Sequence, residues 1–282
     1  MLEFFADLRK YEFLQYALLT GVLASVACGI IGTYVVTRRI TYIAGGISHT
    51  VLGGMGAALF IKKVFGWSAM QPLYGAVAAA ILAAIVIGLV SLRAKQREDT
   101  VIGAIWAVGM AVGVLFISKT PGYSEELMSY LFGNILMVSP GDLWLIAGLD
   151  ACVLAAGLIF YNQFLAVCFD EEFARLRGLN VEFYYLLLLC LSALTVVLMV
   201  SVVGVIMVIS LLTLPIAVAG MFSRTLWQMM GLSIVLSILF TTAGLAVSYT
   251  PNLPAGATII VLSGAAYLAV MIGQGIARAL RT

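Results

Sequence analysis

Tyr184 to Phe222 read YYLLLLCLSALTVVLMVSVVGVIMVISLLTLPIAVAGMF, and no Asp, Glu, Lys, Arg or His falls among them. The hydrocarbon core of a bilayer takes about 20 apolar residues of helix to cross. The run is therefore long enough to cross twice. Gly204 is its only obvious break, and Pro215 interrupts the second half. Two topologies fit: short crossings at 184–203 and 205–222, or one crossing followed by a re-entrant segment. Working outward with the same length criterion gives further spans near 13–36, 43–61, 70–92, 101–118, 141–161, 227–249 and 255–277. The expected fold is an all-α polytopic membrane protein of about nine transmembrane helices, or about eight if 205–222 is re-entrant. It forms a single transmembrane domain over residues 1–282.

Composition agrees. Hydrophobic residues make up 63% of the chain, charged residues 10%, and the mean hydropathy is +1.13. A chain of this size cannot hide that much apolar surface in a water-soluble core, so its solvent is lipid. The 28 glycines fit as well, because small residues let membrane helices approach closely, as in Gly109-Met110-Ala111-Val112-Gly113. The net charge of +2 comes from basic residues scattered at helix ends, and no nucleic-acid partner is expected. Cys28, Cys152, Cys168 and Cys190 have no C-x-x-C spacing and read as small packing residues. Residues 1–12 alternate acidic and basic positions ahead of a run of spanning length, which is not the pattern of a cleavable signal peptide. No internal repeat or low-complexity segment stands out.

Basic residues in short loops favour the cytoplasm. Placing 170–182 inside puts Arg38, Arg39, Arg93, Lys95, Arg97, Arg175, Arg177, Arg224, Arg278 and Arg281 there, and leaves Arg9, Lys10, Lys62, Lys63 and Lys119 outside. The expected topology in the cell membrane has the N-terminus outside and the C-terminus cytoplasmic. Two connections exceed a simple turn. Residues 119–140 lie outside, with helical apolar spacing after Glu125 and Glu126 that suggests a surface helix. Residues 163–183 lie inside and are the most charged part of the chain.

His49 is the only histidine, and it sits inside an apolar segment, Ala44-Gly45-Gly46-Ile47-Ser48-His49-Thr50-Val51-Leu52-Gly53-Gly54. An ionisable residue in a membrane helix usually faces the bundle interior or a water-filled path, and imidazole is a common ligand of zinc and related metals. A hydrogen bond to a neighbouring helix is the structural alternative. The inner segment Phe169-Asp170-Glu171-Glu172-Phe173-Ala174-Arg175-Leu176-Arg177-Gly178 has its own logic. Asp170 is placed to cap a short helix, Glu171 and Glu172 suit its first turn, Arg175 and Arg177 its last, and Gly178 its end. Phe169, Phe173 and Leu176 share a face, so the helix reads as a docking element, or else as a solvated connection.

Phe169-Asp170-x-x-Phe173-Ala174-x-x-x-Gly178 resembles the cytoplasmic coupling segment of the permeases of ATP-binding-cassette importers for zinc and manganese. In the same order along the chain, Arg38-Arg39 with Ile47 to Gly54, Glu98-Asp99-Thr100-Val101-Ile102-Gly103 and Leu131-Phe132-Gly133-Asn134-Ile135-Leu136 resemble other stretches of that family. So do Val203 to Met207, Leu214-Pro215-Ile216-Ala217-Val218-Ala219 and Leu253-Pro254-Ala255-Gly256-Ala257, which extends the resemblance from about residue 13 to 275. The resemblance implies a bundle like that of the cobalamin importers and a permease working as a homodimer. It also implies two cytoplasmic ATPase subunits that bind the ATP, and an extracytoplasmic metal-binding protein. The substrate would be a divalent metal ion, with no cofactor in this chain. Asp170, Glu172, Phe173, Ala174 and Gly178 would couple to the ATPase, and His49 would touch the ion in transit.

One position departs from the family. Many members carry Asp four residues before the signature His, and Gly45 stands there in this chain. Nitrogen ligands suit zinc, whereas manganese prefers carboxylate oxygen, so the loss favours zinc over manganese or iron. Asp150 is the other deep ionisable residue, a pathway carboxylate or a buried hydrogen-bonding group, and no family motif covers it. The chain has no G-x-x-x-x-G-K-[ST] loop for ATP, and one histidine cannot supply H-E-x-x-H. It is read as a transport subunit and not an enzyme. The competing functions are an ion-gradient-driven transporter or channel, and a related permease for a chelated metal or small cofactor.

Overall fold

The computed structural model describes residues 2–94, 97–120, 135–251 and 253–279. The surface helix expected after Glu125 and Glu126 lies outside the described residues, as do Lys95 and Arg281. The helices are α1 (Leu2–Asp7), α2 (Glu12–Thr37), α3 (Tyr42–Val64), α4 (Pro72–Ala94) and α5 (Glu98–Lys119). After a 3-10 turn at Ile135–Met137 come α6 (Pro140–Ile159), α7 (Tyr161–Phe169), α8 (Glu171–Leu176) and α9 (Val181–Val203). The chain ends with α10 (Val205–Leu211), α11 (Leu214–Phe222), α12 (Leu226–Tyr249) and α13 (Ala255–Ala279). Among the described residues nine stretches are long and apolar enough to cross a membrane, the pair α10–α11 counting as one.

Short polar side chains cap three of the long helices. Ser139 and Asp142 form a reciprocal capping box at α6, in which Asp142 Oδ2 accepts from the Ser139 backbone N–H at 2.9 Å. Asn180 Oδ1 accepts from the Phe183 N–H at 3.1 Å, and Thr225 Oγ1 from the Gln228 N–H at 3.3 Å. Each cap satisfies a backbone donor that the start of a helix leaves without an intrahelical partner.

The run that left the crossing count open is broken twice. Gly204 takes φ +83° and ψ 160°, a conformation that excludes a Cβ. A second break at Leu212–Thr213 precedes Pro215, which lacks the N–H needed to continue a helix. Neither α10 nor α11 alone spans the bilayer. The ends decide the direction. Tyr185, at the start of α9, lies beneath the guanidinium of Arg38 at the end of α2. Trp227, at the start of α12, stacks on Tyr161 at the start of α7, with ring centroids 4.4 Å apart. Both contacts lie on the α8 side, so α9 leaves that side and α10–α11 returns to it. The pair makes one broken crossing, and the re-entrant topology falls.

α2 and α3 are the inner helices: most residues of each are buried, whereas most of α13 is not. α2 packs on α6, α9 and α12, and α3 on α4 and α5. Small residues set these seams. A Cβ on Gly53 of α3 would lie 2.6 Å from the Gly109 carbonyl oxygen of α5, and one on Gly113 3.1 Å from the Gly53 nitrogen. The Gly109–Gly113 spacing therefore marks a true close contact. One boundary differs from the sequence expectation. The inner connection starts helical, because α7 runs to Phe169 with Phe164, Val167 and Cys168 buried.

Candidate ion path and coupling segment

α3 carries His49 two turns from its start, facing α5. The imidazole stacks on the indole of Trp106, with centroids 4.7 Å apart and planes 16° from parallel. Its Nδ1 is buried and has no hydrogen-bond partner among the described residues. The hydroxyls on either side are spent within the helix: Ser48 donates to the Ala44 carbonyl at 2.6 Å and Thr50 to the Gly46 carbonyl at 2.8 Å. The half-buried imidazole thus keeps an Nδ1 whose hydrogen-bonding capacity the described residues leave unspent. No three His, Cys, Asp or Glu residues gather to hold a metal among the described residues.

Gly45 has a local physical reason. A Cβ there would sit 2.8 Å from Trp106 Cζ3, so the indole fills the space that any side chain at this position needs. Gly46 is equally closed by Ile102 Cγ2 at 2.8 Å. Sequence reasoning missed Trp106. The Gly45–Gly46 pair, one turn before His49, was the available signal that a bulky neighbour lies there.

Asp150 is buried at 5% exposure. It faces α2 near Ala27 and Cys28, on a different seam from His49. Its carboxylate finds no side-chain donor among the described residues. The structure does not bring Asp150 and His49 together.

The inner segment folds as its sequence directs. Asp170 Oδ1 accepts from the Phe173 N–H at 2.9 Å, and Gly178 takes φ +77° where the chain leaves α8. Ala174 is fully buried and its carbonyl accepts from the Leu179 N–H at 3.1 Å. Glu172 is exposed. Phe169, Phe173 and Leu176 are exposed at 69%, 50% and 87%, an apolar face left largely open by the described residues. Arg177 lies over the Phe173 ring, 5.0 Å from its centroid.

Beneath that face is an attachment that sequence reasoning also missed. Arg38 pairs with Glu171 in the first turn of α8, and its Nη1 donates to the Val167 carbonyl at 3.0 Å. The neighbouring Cys168 thiol donates to the Tyr34 carbonyl at 3.9 Å. Burial pushes that thiol up to about 12; Arg38 opposes the shift and Glu171 adds to it.

This arrangement has known counterparts. The family model described as the ABC 3 transport family matches residues 10–274. A probable metal transport system membrane protein of Chlamydia pneumoniae is 43% identical over 251 residues, covering 89% of this chain and 85% of that protein. A manganese import system permease protein of Streptococcus gordonii, ScaB, is 32% identical over 266 residues, covering 94% and 93%. Among solved structures, PsaBC from Streptococcus pneumoniae in complex with Fab superposes with a TM-score of 0.82 at 31% identity, covering 95% of this chain and 94% of that one. The chain belongs to the ABC 3 transport family. It is a multi-pass membrane permease with a role in transport and not in catalysis.

Proposed function

We propose that this chain is the permease of an ATP-driven importer of divalent metal ions, with zinc favoured over manganese or iron. Import of a metal is supported by the relatives, one named for metal transport and another for manganese import. The observation that carries the site is the buried, unpartnered Nδ1 of His49 in the α3–α5 seam. Zinc is supported by the donor set. A lone nitrogen, with Trp106 in place of any group at Gly45, suits a cation that accepts imidazole better than one that wants carboxylate oxygen. The manganese naming of more distant relatives is the observation to weigh against it.

A homodimer would bring a second His49 to the path, with water completing a weak coordination shell. Weak coordination is what transit needs, since an ion held as tightly as a structural zinc would not leave. An extracytoplasmic binding protein delivers the ion to the outer mouth. Two ATPase subunits seat the α8 face, with Phe173 as the anchor, Asp170 and Gly178 shaping the helix, Ala174 its inner contact and Glu172 at its rim. Replacing His49 with Ala should abolish zinc uptake in cells while leaving the complex assembled. Wild-type uptake by that variant would remove the ligand role. Competition of labelled zinc uptake by excess manganese tests the ion preference: equal displacement by both would remove the zinc preference and leave metal import standing.

A further inference from the structure

Four helices meet at one guanidinium. Arg38 closes α2, bonds the Val167 carbonyl near the end of α7 at 3.0 Å, pairs with Glu171 in α8, and lies 5.0 Å over the Tyr185 ring of α9. The pair is sheltered, the Arg38 side chain being 17% exposed and that of Glu171 30%. A charge-assisted contact of this kind holds its geometry better than an exposed one.

The far side of the arginine leads to the ion path. Arg39 is the one non-glycine residue with positive φ among the described residues, at +64°. The Ile40 N–H returns to the Val35 carbonyl at 3.0 Å, so the chain reverses within a few residues, and α3 starts at Tyr42. Gly45 and His49 lie in the first two turns that follow. A tight elbow thus joins Arg38 to the helix that carries His49. α8 therefore has two faces, an uncovered apolar one at Phe173 and Leu176, and an inner one fastened through Glu171.

We propose that Arg38 is a positioning residue that carries displacement of α8 through Glu171 to the α2–α3 elbow, and so sets where His49 stands against Trp106. The proposal rests on the reading that α8 docks on an ATPase. It differs from a merely structural role for Arg38, which would fasten the end of α2 without affecting how much transport each ATP yields. Coupling of this kind is a free energy between sites and is established by perturbing both partners.

The test uses the whole complex, this permease with the ATPase and binding protein of its own source, in proteoliposomes with radioactive zinc as probe. The variants are Arg38→Gln, Glu171→Gln, the two together, and Arg38→Lys. Each single Gln variant is expected to lower zinc imported per ATP about tenfold, within the usual range of coupling energies. ATP turnover and recovery of the ATPase stay unchanged, and the double variant is no worse than the more damaged single one. Arg38→Lys recovers part of the ratio, because it keeps the charge and loses the fork. Wild-type zinc-to-ATP ratios in Glu171→Gln, or additive losses in the double variant, would overturn the role. So would a fall in transport matched by an equal fall in ATP turnover. Should Arg38→Gln fail to fold, Glu171→Gln decides, since it leaves the Val167 and Tyr185 contacts intact. A wild-type complex that recruits no ATPase would instead defeat the docking reading, and one that hydrolyses ATP without importing zinc would defeat the zinc reading.

Discussion

At Gly45 a single methyl group is already too much. The 2.8 Å approach to Trp106 Cζ3 is below any ordinary carbon contact, and the indole is wedged between this position and His49. Gly45→Ala is expected to cost about 1–3 kcal/mol by overpacking. Adding Trp106→Leu should recover much of that loss, because it removes the obstructing ring. Thermal unfolding of the detergent-purified variants reads both, and additive losses in the double variant would refute the contact. Cys168 allows a second check at this scale. With its thiol pushed up to about 12, chiefly by burial, the reactive thiolate is scarce at pH 8. Maleimide labelling of Cys168 at pH 8 should be negligible in the folded protein and become fast once the protein is unfolded in denaturant. Labelling at pH 8 at the rate of an ordinary exposed cysteine would contradict the burial.

Among the elements, α8 is one of the shortest and the most specified. Its six residues are shaped by the Asp170 cap, the Gly178 exit and the buried Ala174, while the Glu171 pair fastens the formed helix to the bundle. Asp170→Ala should weaken it by about 1 kcal/mol, and Gly178→Ala, forced into a left-handed conformation, by about 1–2 kcal/mol. Both should reduce ATPase recovery without unfolding the bundle. Phe173→Asp acts differently, since it leaves the helix intact and spoils only its apolar face. That variant is expected to lose the ATPase or to separate ATP turnover from zinc uptake; normal values of both would place docking elsewhere. Gly204 is the counterpart in the membrane. Its φ of +83° makes Gly204→Ala a strain of about 1–3 kcal/mol at the α9–α10 break, visible as a lower melting temperature.

For the molecule as a whole, the helix ends divide into two sets. Tyr249, closing α12, donates to Asp7 at 3.0 Å and packs on Phe4, so the N-terminal helix and the end of α12 share one side. Arg38, Glu171 and Tyr185 share the other. The excess of basic residues favours the second set in the cytoplasm. In a variant lacking the natural cysteines, an impermeant thiol reagent added to intact cells should label Arg9→Cys and miss Leu176→Cys. The reverse pattern would invert the topology.

The place and length of every crossing but one were legible in the chain, because lipid leaves an apolar helix little choice but to span. The α8 helix was legible too: capping and exit are local chemistry, fixed within ten residues. His49 stood out by its cost in an apolar segment. The crossing that begins after Gly204 was not resolved, since apolar periodicity looks the same for a return passage and a re-entrant one. Only the contacts at its ends, Arg38 with Tyr185 and Tyr161 with Trp227, gave it a direction. Trp106 against Gly45, and Arg38 against Glu171, were likewise invisible. These partners lie 61 and 133 positions apart in the chain, and nothing local in either residue names the other. Sequence alone determined what each segment is, through hydrophobicity, caps and chain-reversing glycines. Tertiary structure decided what His49 meets and what α8 is fastened to, because those depend on which helices lie side by side.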